Sequence, residues 1–465
     1  MEELKIPAKI QSILGKLQEA DYKAYLVGGC VRDLLLGKTP QDWDIATSAK
    51  PEEIQKLFPK NFYDNQFGTV TVLPDLVEIT TFRKEAQYSD KRHPDQIEFT
   101  DQIEEDLQRR DFTINALAYD GKNLMGRLEP IIKAVGDPDK RFQEDALRLL
   151  RAVRFAVQLE LEIEDNTLKS IKNNSQLLNF VAPERIRDEL VKIIMSESPK
   201  KGILLLKELN LLKFIIPELE LGVGISQNKH HIYTVFEHAL NSLHFAALKG
   251  FNLAVRLAAL FHDIAKPQTK TGSGKDASFI NHDIVGAKWA SRILKRLKFE
   301  NKIIDQVYLL VRRHMFLSDP EKVTDAGARR LLRKVGQENI GDLINLRIAD
   351  RLGSGVAKDR PYRLRHFEYM LSKVSRDPIS VKMLKINGND LLRILQIKPS
   401  PQIGLILRAL LNEVLDDPKK NSQEYLERRA KELNKLSERE LNKKTREVAE
   451  KKEGIEEKEK KKFWL

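Results

Sequence analysis

A single cysteine, Cys30, stands among 465 residues. That excludes an internal disulfide and a cysteine-based zinc site. Long apolar runs are missing too, since none approaches the ~20 residues needed to span a bilayer. The segment from Met1 to Leu14 is amphipathic and has no signal-peptide core, so a cytoplasmic protein with no membrane role is expected. Acidic residues are in deficit: 80 Lys and Arg face 68 Asp and Glu, for a net charge of +12. An excess of that size points to a polyanionic partner, nucleic acid first. With 41% hydrophobic residues and ordinary Gly and Pro counts, the chain reads as globular. It is too long for one core, so about three or four domains are expected.

What is present begins with Tyr25-Leu26-Val27, an apolar run that reads as a strand. It feeds Gly28-Gly29 and then a helix opening Val31-Arg32-Asp33-Leu34-Leu35-Leu36. Glycines before a helix let backbone N–H groups approach a phosphate. Asp42 and Asp44 follow. Alternate residues of a strand share a face, so Asp42-Trp43-Asp44 on a strand would aim two carboxylates into one space. Converging hard oxygen ligands suit Mg²⁺. Two such ions can activate a hydroxyl and stabilise a leaving pyrophosphate.

Residues 22–120 mix short β-rich runs with helices, and Thr69–Leu73 and Leu76–Phe82 read as paired strands around Pro74-Asp75. Beyond about residue 140, apolar residues recur at helical spacing almost to the end. The expected fold class is therefore α+β: a small α/β head followed by an all-helical body. Residues 441–465 alternate Lys and Glu and read as an exposed helix or a charged tail.

Further motifs come in order: Gln66-Phe67-Gly68-Thr69-Val70, Glu78-Ile79-Thr80-Thr81-Phe82-Arg83, a polar loop through Tyr88–Arg92, Arg109-Arg110-Asp111-Phe112-Thr113-Ile114-Asn115-Ala116, and Glu144-Asp145-Ala146-Leu147-Arg148. Together with the Asp pair they closely resemble the class II tRNA nucleotidyltransferases, the CCA-adding enzymes and their poly(A) polymerase relatives. The resemblance implies a polymerase β-like head in which Asp42 and Asp44 hold catalytic Mg²⁺, with Glu78 a candidate third carboxylate. It implies that Gly29 and Arg32 contact the triphosphate, and that Arg110, Asp111 and Asn115 hold ribose and phosphates. The segment Gln66–Val72 looks like the CCA-adding type, and the loop at Tyr88–Arg92 is one that CC-only enzymes lack. The run Gly121–Pro130 departs from the family's Asp-Pro-Phe-Gly-Gly-like joint, which keeps A-only addition and poly(A) tailing open as alternatives.

Asp145 and Arg148, three apart on an expected helix, would share a face. An aspartate accepts from an exocyclic amino group and an arginine donates to a ring nitrogen. Cytosine and adenine offer that pattern; uracil and guanine reverse it, leaving buried groups unpaired. An Asp145/Arg148 pair would thus select CTP and ATP without a nucleic-acid template. A plain helix salt bridge is the alternative. Arg151 and Arg154 continue the same ridge, toward triphosphate or RNA. Pro183–Leu190 resembles the family's helix bracing the nucleotide pocket. Residues 385–415 resemble its RNA-binding region, which would meet a tRNA acceptor stem by shape and backbone.

Histidines recur in a second pattern: His238, His262-Asp263, His282, His314 and then Asp350. This order resembles the HD phosphohydrolase superfamily. The resemblance implies a first metal on His238, His262, Asp263 and Asp350, and a second completed by His282 and His314, with Lys266 near a phosphate. Imidazoles plus carboxylates suit a transition metal (Mn, Fe, Co, Ni or Zn) better than Mg. His230, His231, His244 and His366 fall outside that set.

The expected layout is a nucleotidyltransferase head over 1–140, a helical neck over 141–225, a metal-binding helical domain over 226–375, a helical RNA-binding region over 376–440, and the tail over 441–465. The expected function is addition of CMP and AMP from CTP and ATP to the tRNA 3′ end. Two rivals from other classes are a metal-dependent phosphohydrolase with a nucleotide-binding head, and a non-catalytic RNA-binding protein.

Overall fold

A computed structural model of the chain describes residues 4–64, 68–86, 96–228 and 232–445. Gln66, Phe67, the loop Tyr88–Arg92, His230, His231 and most of the charged tail lie outside the described residues. The chain forms two compact units, one reaching to Glu220 and including Arg296–Lys298, the other running from Leu221 onward without that turn.

The first unit is built on a sheet. Its strands are β1 (Ala24–Val27), β2 (Asp44–Thr47), β3 (Asn61–Asp64), β4 (Thr69–Val72) and β5 (Val77–Thr81). A separate pair, β6 (Arg83–Ala86) and β7 (Gln96–Phe99), comes next, followed by β8 (Ala118–Tyr119) and β9 (Leu124–Met125). Seven strands hydrogen-bond in the order β3-β4-β5-β2-β1-β8-β9. Within this sheet, among the described residues, only β2 and β5 run parallel, in the register Asp44↔Glu78 and Ile45↔Ile79. The antiparallel pair β4–β5 closes around Pro74-Asp75, with Val72 opposite Val77.

Strand alternation splits the core in two. Leu26, Ile45, Val70 and Ile79 face one layer, joined by Ile10, Ile13, Leu14 and Leu17 from the helix Ala8–Glu19. Val27, Ala46 and Phe82 face the other, against Ile103 and Leu107. With both faces covered, the ends of the central strands are what remain for chemistry. The sequence places the first helix after β1 at Val31; it begins at Gly29, because Gly28 takes the left-handed turn alone.

The longer helices that follow in the same unit are Pro138–Glu144, Arg148–Gln158, Asp165–Asn174, Pro183–Ile194 and Pro199–Glu208. Four of them carry Pro or an acidic side chain at the start, which suits the unsatisfied N–H groups there. The second unit is helical apart from a two-stranded ladder of four residues. Its helices include Val235–Leu248, Leu253–Phe261, His282–Arg296, Asn301–Arg313 and Ile340–Gly353. A separate apolar cluster near the C-terminus gathers Leu391, Ile406, Leu410, Val414, Leu426 and Leu433. No helix among the described residues is long and apolar enough to cross a membrane.

Gly126 lies in the run that departs from the family joint. It has φ +86°, and a Cβ there would sit 2.6 Å from the Ala116 carbonyl oxygen. Gly126→Ala is therefore expected to destabilise the first unit by roughly 1–3 kcal/mol, seen as a lower denaturant midpoint.

Candidate active site and metal centre

The glycine turn is shaped by an arginine. Gly28 has φ +75°, and a Cβ on it would lie 2.6 Å from Nη1 of Arg110. On the helix that follows, Arg32 is buried; it donates from Nη1 to Asn115 Oδ1 at 2.7 Å and pairs through Nη2 with Asp33 at 2.7 Å. Cys30, beside it, is buried, and burial pushes its thiol up to about 11.

Asp44 opens β2 next to Glu78. The expectation that both aspartates lie on the strand needs correction. The ladder starts at Asp44, and the chain still bends at Gln41-Asp42, so Asp42 is exposed and precedes the strand. The two remain electrostatically coupled. Burial first, then the charges of Glu78 and Asp42, push Asp44 up to about 6 against the pull of Arg110. A carboxylate whose charge is opposed by two neighbouring carboxylates is eased by a cation, and oxygen donors of this kind suit Mg²⁺.

The loop after Gln108 ties this edge to the helices behind it. Arg109 and Arg110 both pair with the fully buried Asp106. Asp111 accepts from the Phe112 N–H (2.8 Å), Asn115 Nδ2 (3.1 Å) and Arg151 Nε (2.7 Å). Burial alone would raise its pKa, but Arg151, Asn115 and Arg148 outweigh that and hold it at about 2. Arg154 pairs with Glu189 at 2.6 Å.

Asp145 and Arg148 do not share a helix. One helix ends at Glu144 and the next begins at Arg148, with Asp145 extended between them (φ −142°, ψ 103°). The aspartate side chain causes the break: its Oδ1 accepts from the Leu147 N–H at 3.1 Å, a local bond that competes with helix. Asp145 instead pairs with Arg185 through both carboxylate oxygens, at 3.1 and 2.9 Å. Arg148 pairs with Glu144 at 2.7 Å and donates to the carbonyls of Arg141 and Arg109. The simple salt bridge between the two is replaced by separate partners.

In the second unit six ligands meet. His238 comes from the helix Val235–Leu248 and Asp350 from Ile340–Gly353, while His262 and His314 follow helix ends and His282 starts a helix. His262, His282 and His314 each bond through Nδ1 to the carbonyl three residues earlier, at 2.9, 2.7 and 2.7 Å. That fixes the proton on Nδ1 and turns the Nε2 lone pairs inward. The Nε2 atoms of His238 and His262 are 3.0 Å apart, and those of His282 and His314 3.3 Å. Asp263 straddles the two pairs. Its Oδ2 lies 3.4 and 3.3 Å from His238 and His262, and its Oδ1 3.5 and 3.8 Å from His282 and His314. Asp350 Oδ1 closes the first group at 3.2 Å from His238. Ligands on one ion with bonds of about 2.1 Å sit about 3.0–3.5 Å apart, so both groups fit a metal. Burial opposes a charge on His262, yet Asp263 and Asp350 push it up to about 10, a proton standing where a cation fits.

A profile described as the Poly A polymerase head domain matches residues 24–139, and another, tRNA nucleotidyltransferase domain 2, matches 280–430. The CCA-adding enzyme of Ligilactobacillus salivarius is 36% identical over 440 residues, covering 91% of this chain and 96% of that one. The chain belongs to the CCA-adding enzyme family. The CCA-adding enzyme of Lactobacillus delbrueckii subsp. bulgaricus is 35% identical over 425 residues, covering 88% of this chain and 94% of its own length. The crystal structure of the Bacillus stearothermophilus CCA-adding enzyme in complex with CTP superposes with a TM-score of 0.70, at 26% identity, over 94% of this chain and 100% of that one.

Within this family member, four supporting pairings were not legible from the motifs. Glu144 and Arg185 hold Arg148 and Asp145. Gln227 accepts from Lys266 at 2.6 Å, while Lys266 pairs with Asp263 at 2.7 Å. Arg347 pairs with Asp350 at 3.3 Å and donates to the Phe316 carbonyl. Two of them carry a local signal: Arg347 lies three residues before Asp350, and Glu144 four before Arg148.

Asp111 gives a pH prediction. Its folded pKa lies near 2, below the unfolded value, so its contribution is present above about pH 4 and is lost as pH falls toward 2. Asp111→Asn should remove an acid-labile stabilisation on the order of 2 kcal/mol, checked by urea unfolding at pH 3 and pH 7.

Proposed function

We propose that this chain builds or repairs the CCA 3′ end of tRNA from CTP and ATP, with no nucleic-acid template. One observation carries the reading. Arg148 bonds the backbone of Arg109, whose neighbour Arg110 lies close enough to Asp44 to shift its charge. The selecting and the catalytic residues thus border the same short loop. The relatives at 36% and 35% identity are CCA-adding enzymes, and the Bacillus stearothermophilus enzyme is seen with CTP, which supports the same chemistry.

In this reading Asp42, Asp44 and Glu78 hold magnesium, which when bound activates the RNA 3′ hydroxyl and stabilises the leaving pyrophosphate. Gly29, Arg32, Arg110, Arg151 and Arg154 hold the triphosphate. Asp111 and Asn115 set the ribose and keep Arg151 and Arg32 in place. Asp145 accepts from the exocyclic amino group of cytosine or adenine, and Arg148 donates to the adjacent ring nitrogen. Arg185 and Glu144 orient that pair without consuming every lone pair and N–H, so the base still finds partners. The helical region beyond about residue 376 contacts the tRNA backbone.

Pure protein with Mg²⁺ is expected to extend tRNA lacking all three terminal nucleotides with labelled CMP, then AMP. Incorporation of AMP alone, onto tRNA already ending in CC, would favour the A-only rival. Asp44→Asn should lower incorporation at least about a hundredfold with little change in Tm.

The six-ligand cluster favours a second activity. His238, His262, Asp263, Asp350, His282 and His314 hold one or two transition-metal ions, which when bound supply the nucleophile for phosphoester hydrolysis. Replacing His262 and Asp263 together by Ala should lower the metal content measured by mass spectrometry while leaving nucleotide incorporation intact. Unchanged metal content in that variant would remove the second centre.

A further inference from the structure

Phe155 sits on the helix Arg148–Gln158 and is 5% exposed. Three guanidinium carbons lie within 6 Å of its ring centroid: Arg154 at 3.9 Å, Arg151 at 5.4 Å and Arg32 at 5.6 Å. Arg32 comes from the helix after the glycine turn, whereas the other two come from Phe155's own helix. The ring also meets Phe112 edge to face, with centroids 5.9 Å apart and planes at 79°. Phe112 directly follows Asp111, the partner of Arg151. One aromatic ring therefore touches the glycine-turn helix, the Arg109–Asn115 loop and the neck.

We propose that Phe155 is a positioning residue for the triphosphate, its ring gathering the Arg32, Arg151 and Arg154 guanidinium groups so that their N–H edges face one space. The inference rests on the transferase reading above and deepens it. Three cations this close repel one another. Each has a carboxylate partner: Asp33, Asp111 and Glu189. Those carboxylates occupy N–H donors that a phosphate would need. The ring acts differently. Its negative face attracts a guanidinium through the cation's own face and leaves the in-plane N–H groups available. A triphosphate entering the space then meets donors already aimed at it, with little reorganisation.

Phenylalanine analogues with successive ring fluorines keep the shape and drain the negative face. With such analogues at position 155 of the full chain, the CTP dissociation constant is expected to rise with each added fluorine, to roughly tenfold in all. The melting temperature should stay constant. The loss should be larger for CTP than for CMP, because the ring acts through the β- and γ-phosphates. Phe155→Leu should reproduce the weakened CTP binding, and KM for CTP and ATP should rise with kcat nearly unchanged. A CTP affinity indifferent to fluorination, or an equal loss for CMP and CTP, would overturn the proposal. Binding is measured without catalysis, so a chain that binds CTP in this graded way yet incorporates no nucleotide would count against the transferase reading alone.

Discussion

The buried carboxylate of Asp111 is the constraint on which the first unit's site depends. It is out of water, so it needs partners, and it draws them from separate elements: Asn115 and the Phe112 N–H in its own loop, and Arg151 on the neck helix. Asn115 uses its carbonyl oxygen for Arg32. A chain of side chains, Arg32–Asn115–Asp111–Arg151, thus runs from the glycine-turn helix to the neck. Truncating a buried, paired carboxylate strands its arginine, which is commonly worth about 3–5 kcal/mol. The same charge network keeps three arginines close without collapse of the site. Each is matched by one carboxylate, and Phe155 sits between them.

Charge matching also explains how the second unit tolerates two aspartates and four histidines in its interior. Asp263 meets Lys266, and Asp350 meets Arg347, whose guanidinium lies 4.6 Å from the Phe316 ring centre. Despite burial the two carboxylates are held ionised well below their usual range, Asp263 by His262 and Lys266, and Asp350 by His238 and His262. His282 and His314 stay neutral because burial disfavours their charged form. Neutral imidazoles whose Nδ1 protons are tied to backbone carbonyls are ligands waiting with the correct nitrogen forward.

Much of this was legible in the sequence, and the failures have physical causes. The β1 strand, the glycine turn and the β4–β5 pair follow from alternation and turn chemistry, both local. The order of histidines and aspartates told which side chains to watch, and the helices bring all six together. Asp145 was misread because helical periodicity counts apolar residues. It does not see a carboxylate bonding the N–H two residues on, which ends one helix and starts another. Asp42 was misread for a related reason: alternation gives a face only once the ladder has begun, and pairing starts at Asp44 with β5 and at Ile45 with β1. Arg185 was legible only as part of the bracing helix Pro183–Leu190, and Gln227 carries no local mark. They lie 40 residues from Asp145 and 39 from Lys266, and only tertiary packing selects them.

The two proposed metal sites differ in the exposure of their side chains, and the ligand chemistry proposed for each accounts for the difference. Magnesium releases water reluctantly and is held by a few carboxylates plus the substrate's own phosphates, so its site must stay open. Asp42 is exposed and Asp44 half-buried at a sheet end, which leaves coordination positions for a nucleotide and a hydroxyl. Imidazole-rich sites suit borderline metals, and the protein itself can complete most of their shell. There the ligands are buried, with His238 and His262 at most 1% exposed. In the proposed reading the donor type sorts the two metals, carboxylate oxygen at the start of β2 and mostly imidazole nitrogen in the second unit.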